Sequence, residues 1–164
     1  MTRGIFAVLA LMALVACSDL DFKVNDRVVY SPRPLLTDFE IADAALRACI
    51  EQAINDQRVT LANELQVLNC SHADIASLDG LELFTGIRQL KLSSNQIRNL
   101  APLVPLSSLE TLYLDDNQVV DPVPLYDLLS LNSLDLSGNA KLQCPAQAAL
   151  FRLETLKLPE HCVN

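Results

Sequence analysis

The chain has 164 residues, enough for one domain with short appendages, and 51% of them are apolar although Trp is absent and aromatic residues make up only 5%. The formal net charge is −8, from 12 basic and 20 acidic residues. This balance argues against a nucleic-acid partner, whose phosphates need clustered Lys and Arg, and against purely electrostatic docking on an anionic membrane.

Residues 1–16 have the pattern of an export signal. Arg3 provides a positive start, and the apolar run from Gly4 to Ala16 is shorter than the roughly 20 residues of a membrane-spanning helix. The run ends in Leu14-Val15-Ala16-Cys17, which resembles the bacterial lipobox. The resemblance implies a mature chain that begins at Cys17 with acyl chains of the palmitate type, and Ser18 after it favours the outer membrane. The alternative is an ordinary cleaved signal followed by a coincidental cysteine.

Residues 17–37 are predicted to form a tether between the lipid and the domain. The prolines of Ser31-Pro32-Arg33-Pro34 exclude a helix there, because each proline restricts the residue before it. The run from Phe22 to Tyr30 alternates weakly, which is compatible with a short strand or with a flexible spacer.

Residues 38–64 are predicted to form a helical N-terminal cap. Its helix extends roughly from Asp43, a suitable N-cap residue, to Asp56. An apolar stripe follows the helical period, formed by Leu46, Cys49, Ile50, Ala53 and Ile54. Because a lone helix of this length is marginal in water, the stripe is expected to cover the first unit of the repeat that follows.

From residue 65 to residue 164 one phrase, L-x-x-L-x-L, recurs every 22 residues. Its five opening residues are Leu65, Ile87, Leu109, Leu131 and Leu153. A period in the range of 20–29 residues with this core predicts a solenoid of stacked coils. Nothing is inserted or deleted between the openings, so the coils are expected to stack in register, the last one acting as a C-terminal cap.

We number the positions of each 22-residue repeat from 0 at the opening residue. Position 8 is an asparagine in the three central coils, Asn95, Asn117 and Asn139. A side-chain amide offers two donors and an acceptor, so these residues are predicted to satisfy buried backbone groups where the chain turns inward. Ala73 and His161 stand at this position in the terminal coils.

The repeat resembles the 22-residue class of the leucine-rich repeat family, of the kind found in bacterial internalins. The resemblance covers residues 38 to 164. It implies an α/β solenoid, wound as a right-handed coil, with a short parallel sheet on the concave face, a 3₁₀ or irregular convex face and a helical N-terminal cap.

Four cysteines remain once Cys17 carries lipid, and an even number in an exported protein predicts disulfides. Their positions favour Cys49–Cys70 at the N-terminal end and Cys144–Cys162 at the C-terminal end. Buried thiols are the alternative. A metal site is less favoured, because no pair has C-x-x-C spacing and the only histidines are His72 and His161.

Side chains alternate along a strand, so positions 2, 4 and 6 are expected to face outward, with position 7 at the rim. The candidate binding residues on this face are Lys91, Tyr113, Asp115, Asp116 and Asp135. Tyr113 is the only aromatic residue there and lies in the central coil, where a binding hot spot is expected. A solvated face without a role, and calcium binding by the aspartates, are the alternatives.

No catalytic motif or phosphate-binding loop is recognisable, and no cofactor is expected. The sequence therefore predicts a monomeric, lipid-anchored envelope protein that binds an unknown protein or peptide without catalysis. The alternative is a passive structural envelope lipoprotein.

Overall fold

The computed structural model describes residues 22–24, 27–30, 33–146 and 149–163, so the predicted signal and Cys17 lie outside the described residues. The chain divides into two compact units, Met1–Pro34 and Leu35–Asn164. In the first unit, strands β1 (Phe22–Val24) and β2 (Arg27–Tyr30) pair antiparallel. The weakly alternating run therefore contains two paired strands and not a single one. No helix in the described part of the chain combines the length and apolar character that crossing a bilayer requires.

The second unit contains one helix, α1 (Ala44–Gln57), and a parallel sheet of five strands among its described residues. The strands are β3 (Val67–Asn69), β4 (Gln89–Lys91), β5 (Thr111–Tyr113), β6 (Ser133–Asp135) and β7 (Thr155–Lys157). They follow one another in chain order, and every residue pairs with the one 22 positions further on. The predicted solenoid and its register are therefore confirmed.

The opposite face of the solenoid is built from short 3₁₀ turns. They span Leu81–Leu83, Ala101–Leu103 and Val123–Leu125, and neighbouring turns contact each other. Prolines occupy the middle of the second and third turns, where a fixed φ suits the tight bend. Each turn contributes one buried leucine to the core, namely Leu81, Leu103 and Leu125, whereas Leu83 is 49% exposed.

The core is a column of aliphatic side chains that passes from coil to coil. Position 3 illustrates it, because Leu68, Leu90, Leu112 and Leu134 are at most 1% exposed. Leu156, the equivalent residue of the last coil, is 38% exposed, since no further described strand covers it. The stacked neighbour is thus what buries each inward leucine, and a coil gains its core from both sides.

The asparagine of the second coil connects that coil to the one before it. Asn95 Oδ1 accepts hydrogen bonds from the N–H groups of Ala73 (3.1 Å) and Ile75 (3.0 Å) in the first coil. Its Nδ2 donates to the carbonyl oxygens of Cys70 and Leu92, both at 2.9 Å. One amide therefore satisfies buried backbone groups of two successive coils.

Asn117 and Asn139 repeat this arrangement one and two coils further along. Each donates to the position 5 carbonyl of its own coil and of the preceding coil, at 2.8–3.1 Å. Each also accepts from the N–H at position 10 of the preceding coil, at 3.0 and 2.9 Å. We call Asn95, Asn117 and Asn139 the asparagine ladder; all three side chains are buried.

One carboxylate, that of Asp43, bonds both to the N-terminal cap and to the first coil. Asp43 Oδ1 caps helix α1 by accepting from the N–H groups of Ala45 (3.0 Å) and Leu46 (3.1 Å). Its other oxygen, Oδ2, accepts from the N–H groups of Ala76 (2.9 Å) and Ser77 (3.1 Å) of the first coil. The sequence predicted the first role of Asp43 and not the second.

Helix α1 lies over the open end of the first coil with its apolar stripe inward. Leu46, Ile50 and Ile54 are buried, and Cys49 and Ala53 are partly buried against the same core. The disulfide Cys49–Cys70, with a Cα–Cα distance of 5.8 Å, links the helix to the residue after β3. The exposed end of the repeat is therefore covered as the stripe predicts.

The cap begins earlier than the sequence suggested. Leu35 and Leu36, assigned to the tether, are partly buried against the core and belong to the second unit. The N–H of Leu36 also donates to the carbonyl oxygen of Val59 at 3.0 Å. Two adjacent leucines are more stable buried than in a solvated tether. The cap therefore starts at residue 35 and not at residue 38.

Replacing Asn117 with alanine is expected to lower the free energy of unfolding by roughly 3 kcal/mol, because buried backbone groups of two coils lose their partner. Urea unfolding followed by circular dichroism measures the change. Asn132→Ala removes an exposed amide just before strand β6 and is expected to stay within about 0.5 kcal/mol of wild type. Equal losses for the two variants would show that the ladder does not hold the coils together.

The Asp43 carboxylate is expected to make stability depend on pH. Partial burial raises its pKa, but hydrogen bonds from Ala76, Leu46, Ser77 and Ala45 outweigh burial and hold the pKa below 3.8. The stabilisation is therefore complete above pH 3.8 and is lost as the pH falls through the lower pKa of the folded state.

Asp43→Asn is accordingly expected to cost about 1–3 kcal/mol at neutral pH, because the amide group supplies only one accepting oxygen for the two sets of donors. Denaturant unfolding at a series of pH values should show the gap to wild type closing below pH 3.8. Asp127→Asn, at an exposed carboxylate, is the matched control. A gap that stays constant with pH would contradict the dual role of the carboxylate.

Candidate functional site

The concave face carries a row of four charged or aromatic side chains at position 4. Lys91, Tyr113, Asp135 and Lys157 occupy successive strands and pair in register, so each lies beside the next. Tyr113 is half-buried at the centre of the row. The Nζ of Lys91 lies 5.5 Å from the centroid of the Tyr113 ring, within range of a cation–π contact. The row therefore presents an aromatic surface already flanked by a cation.

Asp135, which the sequence predicted to face outward as a candidate binding residue, is buried on this face. It is only 6% exposed, and its Oδ2 accepts from the Nζ of Lys157 at 2.9 Å. Its Oδ1 accepts from the hydroxyl of Ser137 at 2.5 Å and from the N–H of that residue at 3.1 Å. Strand alternation predicts direction alone, whereas burial here comes from contacts across strands and within the loop. Asp135 thus contributes to the face by holding Lys157.

The electrostatics of this pair favour its charged form. Burial raises the pKa of Asp135, but the hydrogen bonds from Ser137 and Lys157 lower it by more, so the pKa lies below the usual 3.8. The hydrogen bond and charge of Asp135 raise the pKa of Lys157 above 10.5. The pair therefore remains ionised at neutral pH.

The other two candidate aspartates, Asp115 and Asp116, follow the row at positions 6 and 7 of the third coil. Asp115 Oδ1 accepts from the hydroxyl of Ser93 on the neighbouring coil at 2.6 Å. Asp116 is exposed at the rim, where its φ is 54°. Together with Lys91 and Tyr113, these carboxylates are the groups on the concave face that a partner could contact.

Position 7 forms a left-handed turn in four successive coils. The φ values there are 59° for His72, 56° for Ser94, 54° for Asp116 and 74° for Gly138. A Cβ on Gly138 would lie 2.8 Å from the backbone N of Asp116, so only glycine fits beside that residue. The repeated turn ends each strand in the same way and fixes the edge of the concave face.

The three aspartates do not converge on a cation site. Among the described residues, one group of three possible metal ligands has its ligand atoms within 4.8 Å of one another, and it consists of Cys144, His161 and Cys162. Calcium needs six or more oxygen ligands. The alternative of calcium binding on the concave face therefore lacks a converging set of carboxylates.

The last coil is attached by contacts that the sequence revealed only in part. The predicted disulfide Cys144–Cys162 is present, with a Cα–Cα distance of 5.3 Å. His161, at position 8 of the last coil, has its Nε2 3.0 Å from the carbonyl oxygen of Leu142. The proximity of His161 to both sulfurs was missed, although its place beside Cys162 in the sequence was the available signal.

Arg152 was not singled out from the sequence. Its guanidinium donates to the carbonyl oxygens of Ala149 (3.1 Å), Tyr126 (3.1 Å) and Leu128 (3.0 Å), the last two in the preceding coil. Position 21 is glycine or serine in the earlier coils, so the change to arginine was a usable signal. Arg152, the last residue of the fourth coil, therefore binds that coil to the third, in addition to the hydrogen bonds of Asn139.

Comparison with known proteins agrees with this architecture. Residues 41–160 match the family model described as the Endo-beta-N-acetylglucosaminidase EndoS LRR domain. An internalin C2 of Listeria monocytogenes is similar in structure, with 22% identity and a TM-score of 0.57, over 70% of this chain and 63% of that one.

An internalin, inlF, of the same organism is also similar, with 22% identity and a TM-score of 0.52, over 70% of this chain and 42% of that one. The chain thus spans less than two thirds of the length of either internalin, and at this identity the likeness concerns the fold. No curated protein matches the sequence significantly.

Proposed function

Because the chain belongs to the family of the EndoS leucine-rich repeat domain, we propose that it acts as a binding module that holds another protein on its concave sheet. The observation that carries the proposal is the position 4 row, in which Tyr113 stands at the centre with Lys91 beside it. The proposal assigns no catalytic step to the domain.

The chemistry of the row suits a peptide or protein surface. The aromatic ring of Tyr113 supplies apolar contact area at low entropic cost, together with one hydroxyl. Asp115, Asp116 and Lys91 surround it with charges of both signs. The other outward positions are mostly small and polar, so a partner backbone can approach the sheet closely.

We further propose that the domain is held at the bacterial outer membrane by acyl chains on Cys17. The support is the sequence pattern alone: a charged start, an apolar run, small residues and then cysteine. More than one acyl chain gives stable anchoring, since each buried CH₂ contributes about 0.8 kcal/mol. The solenoid would then meet its partner within the cell envelope.

Tyr113→Ala is expected to reduce capture of the concave-face partner by at least about 30-fold, the effect of losing a hot spot of about 2 kcal/mol. The full-length protein is used as bait on detergent-solubilised envelope, and captured proteins are quantified by mass spectrometry. Tyr113 is half-buried but lies outside the core, so circular dichroism should remain that of wild type.

Phe151→Ala is the matched control, because Phe151 is an 83% exposed aromatic outside the sheet. It should capture the same partner as wild type. If Tyr113→Ala and wild type recover identical proteins in equal amounts, the concave face is not the binding surface. The passive structural role would then be favoured.

Cys17→Ser is expected to release the protein from the membrane fraction into the soluble fraction, because the acylated thiol is lost. Fractionation followed by immunoblotting measures the change. Ser18→Asp, which keeps Cys17, is expected to stay membrane-bound but to move from the outer to the inner membrane. Membrane retention of Cys17→Ser would contradict lipid anchoring.

A further inference from the structure

The C-terminal end of the solenoid brings together two sulfurs and an imidazole. One ring nitrogen of His161 and the Sγ atoms of Cys144 and Cys162 all lie within 4.8 Å of one another. Cys144 is contributed by the fourth coil, whereas His161 and Cys162 lie in the 3₁₀ turn Glu160–Cys162 of the fifth. The cluster therefore spans the junction between the last two coils.

The two disulfides differ in their access to reductants. Cys70 is 2% exposed, and its partner Cys49 is half-buried on helix α1. Cys144, in contrast, is exposed, and Cys162 is half-buried at the end of the molecule. Thiol–disulfide exchange requires a thiolate to reach a sulfur, so the C-terminal disulfide is the one that a reductant attacks first.

His161 has the hydrogen bond that metal-ligating histidines commonly have. Its Nε2 lies 3.0 Å from the carbonyl oxygen of Leu142. A carbonyl oxygen only accepts, so Nε2 must carry the proton and the neutral ring keeps its lone pair on Nδ1. In metal sites this arrangement orients the ring and makes the other nitrogen a better ligand.

We propose that reduction of the Cys144–Cys162 disulfide converts this end of the solenoid into a three-ligand site for Zn²⁺, formed by the two thiolates and the Nδ1 of His161. A dithiol reductant supplies two electrons and closes to its own disulfide, while Cys144 and Cys162 become thiols. Zn²⁺ then binds both sulfurs, and the two thiol protons pass to solvent.

The ligand set favours zinc over harder cations. Two thiolates and one imidazole are soft or borderline ligands, and three protein ligands with a water in the fourth place are a known zinc arrangement. The charge of two thiolates also balances that of the ion. Bound zinc replaces the lost covalent link between the last two coils, so the end of the solenoid stays closed in reducing conditions.

The test compares oxidised and reduced full-length protein. A water-soluble phosphine reduces the exposed disulfide, is itself oxidised to the phosphine oxide with oxygen from water, and is removed under argon. Zn²⁺ is then titrated in competition with a chromophoric chelator. The reduced protein is expected to bind one Zn²⁺ per chain and the oxidised protein none. Equal binding by the two forms would overturn the proposal.

His161→Asn places at this position the residue found in the central coils, and it keeps both cysteines. Loss of a residue that only hydrogen-bonds a metal ligand weakens metal binding roughly 10–100-fold. Because His161→Asn removes a ligand itself, it is expected to weaken Zn²⁺ binding by more than that. His72→Asn makes the same change at the other histidine, which is exposed and remote in sequence, and should bind like wild type. A reduced His161→Asn protein that binds as tightly as wild type would exclude His161 as a ligand.

Cobalt gives a readout on the unmodified protein, which holds even if a variant fails to fold. Co²⁺ in the reduced protein is expected to show thiolate-to-metal charge-transfer absorption and a hyperfine-shifted imidazole N–H proton in the NMR spectrum, from Nε2.

Alkylation with mass mapping should label Cys144 and Cys162 before Cys49 and Cys70. A missing imidazole signal, or the reverse order of labelling, would contradict the site.

Discussion

Each coil of this solenoid turns inward at a point where its own backbone cannot satisfy its buried carbonyl and N–H groups. The asparagine ladder resolves this, because every amide bonds to two coils at once. Asn95 accepts from the first coil and donates to both coils. A ladder residue therefore stabilises its coil only when the neighbour is present, which makes stacking and folding one event.

A ladder of this kind needs a different solution at each end. At the N-terminal end, Ala73 has no amide, and Asp43 accepts from Ala76 and Ser77 while it also caps helix α1. At the C-terminal end, the Cys144–Cys162 disulfide attaches the last coil to the fourth. The ends are held by charged or covalent contacts because hydrogen bonds to a missing neighbour cannot form.

The periodicity of the sequence was enough to predict the sheet, its register and the inward leucines, since a constant spacing of 22 residues leaves one way to stack. It was not enough for contacts that depend on side-chain reach. Asp135 alternates outward, yet Lys157 and Ser137 close over it. The hydrogen bond from the N–H of Ala76 to Asp43 joins residues 33 positions apart, and no local sequence pattern predicts such a contact.

The need to fill and satisfy the buried positions of every coil also limits where a partner can bind. Leucines and ladder amides occupy the inward positions of each coil, and any polar or bulky change there disturbs two neighbours. Residues can change without disturbing the neighbouring coils only at the outward positions, where Tyr113 and its charged neighbours lie. With five short strands the concave face is narrow, so specificity must come from a few residues near its centre. Rigid coils keep those residues at a fixed spacing, and a partner that fits them loses little entropy in the domain on binding.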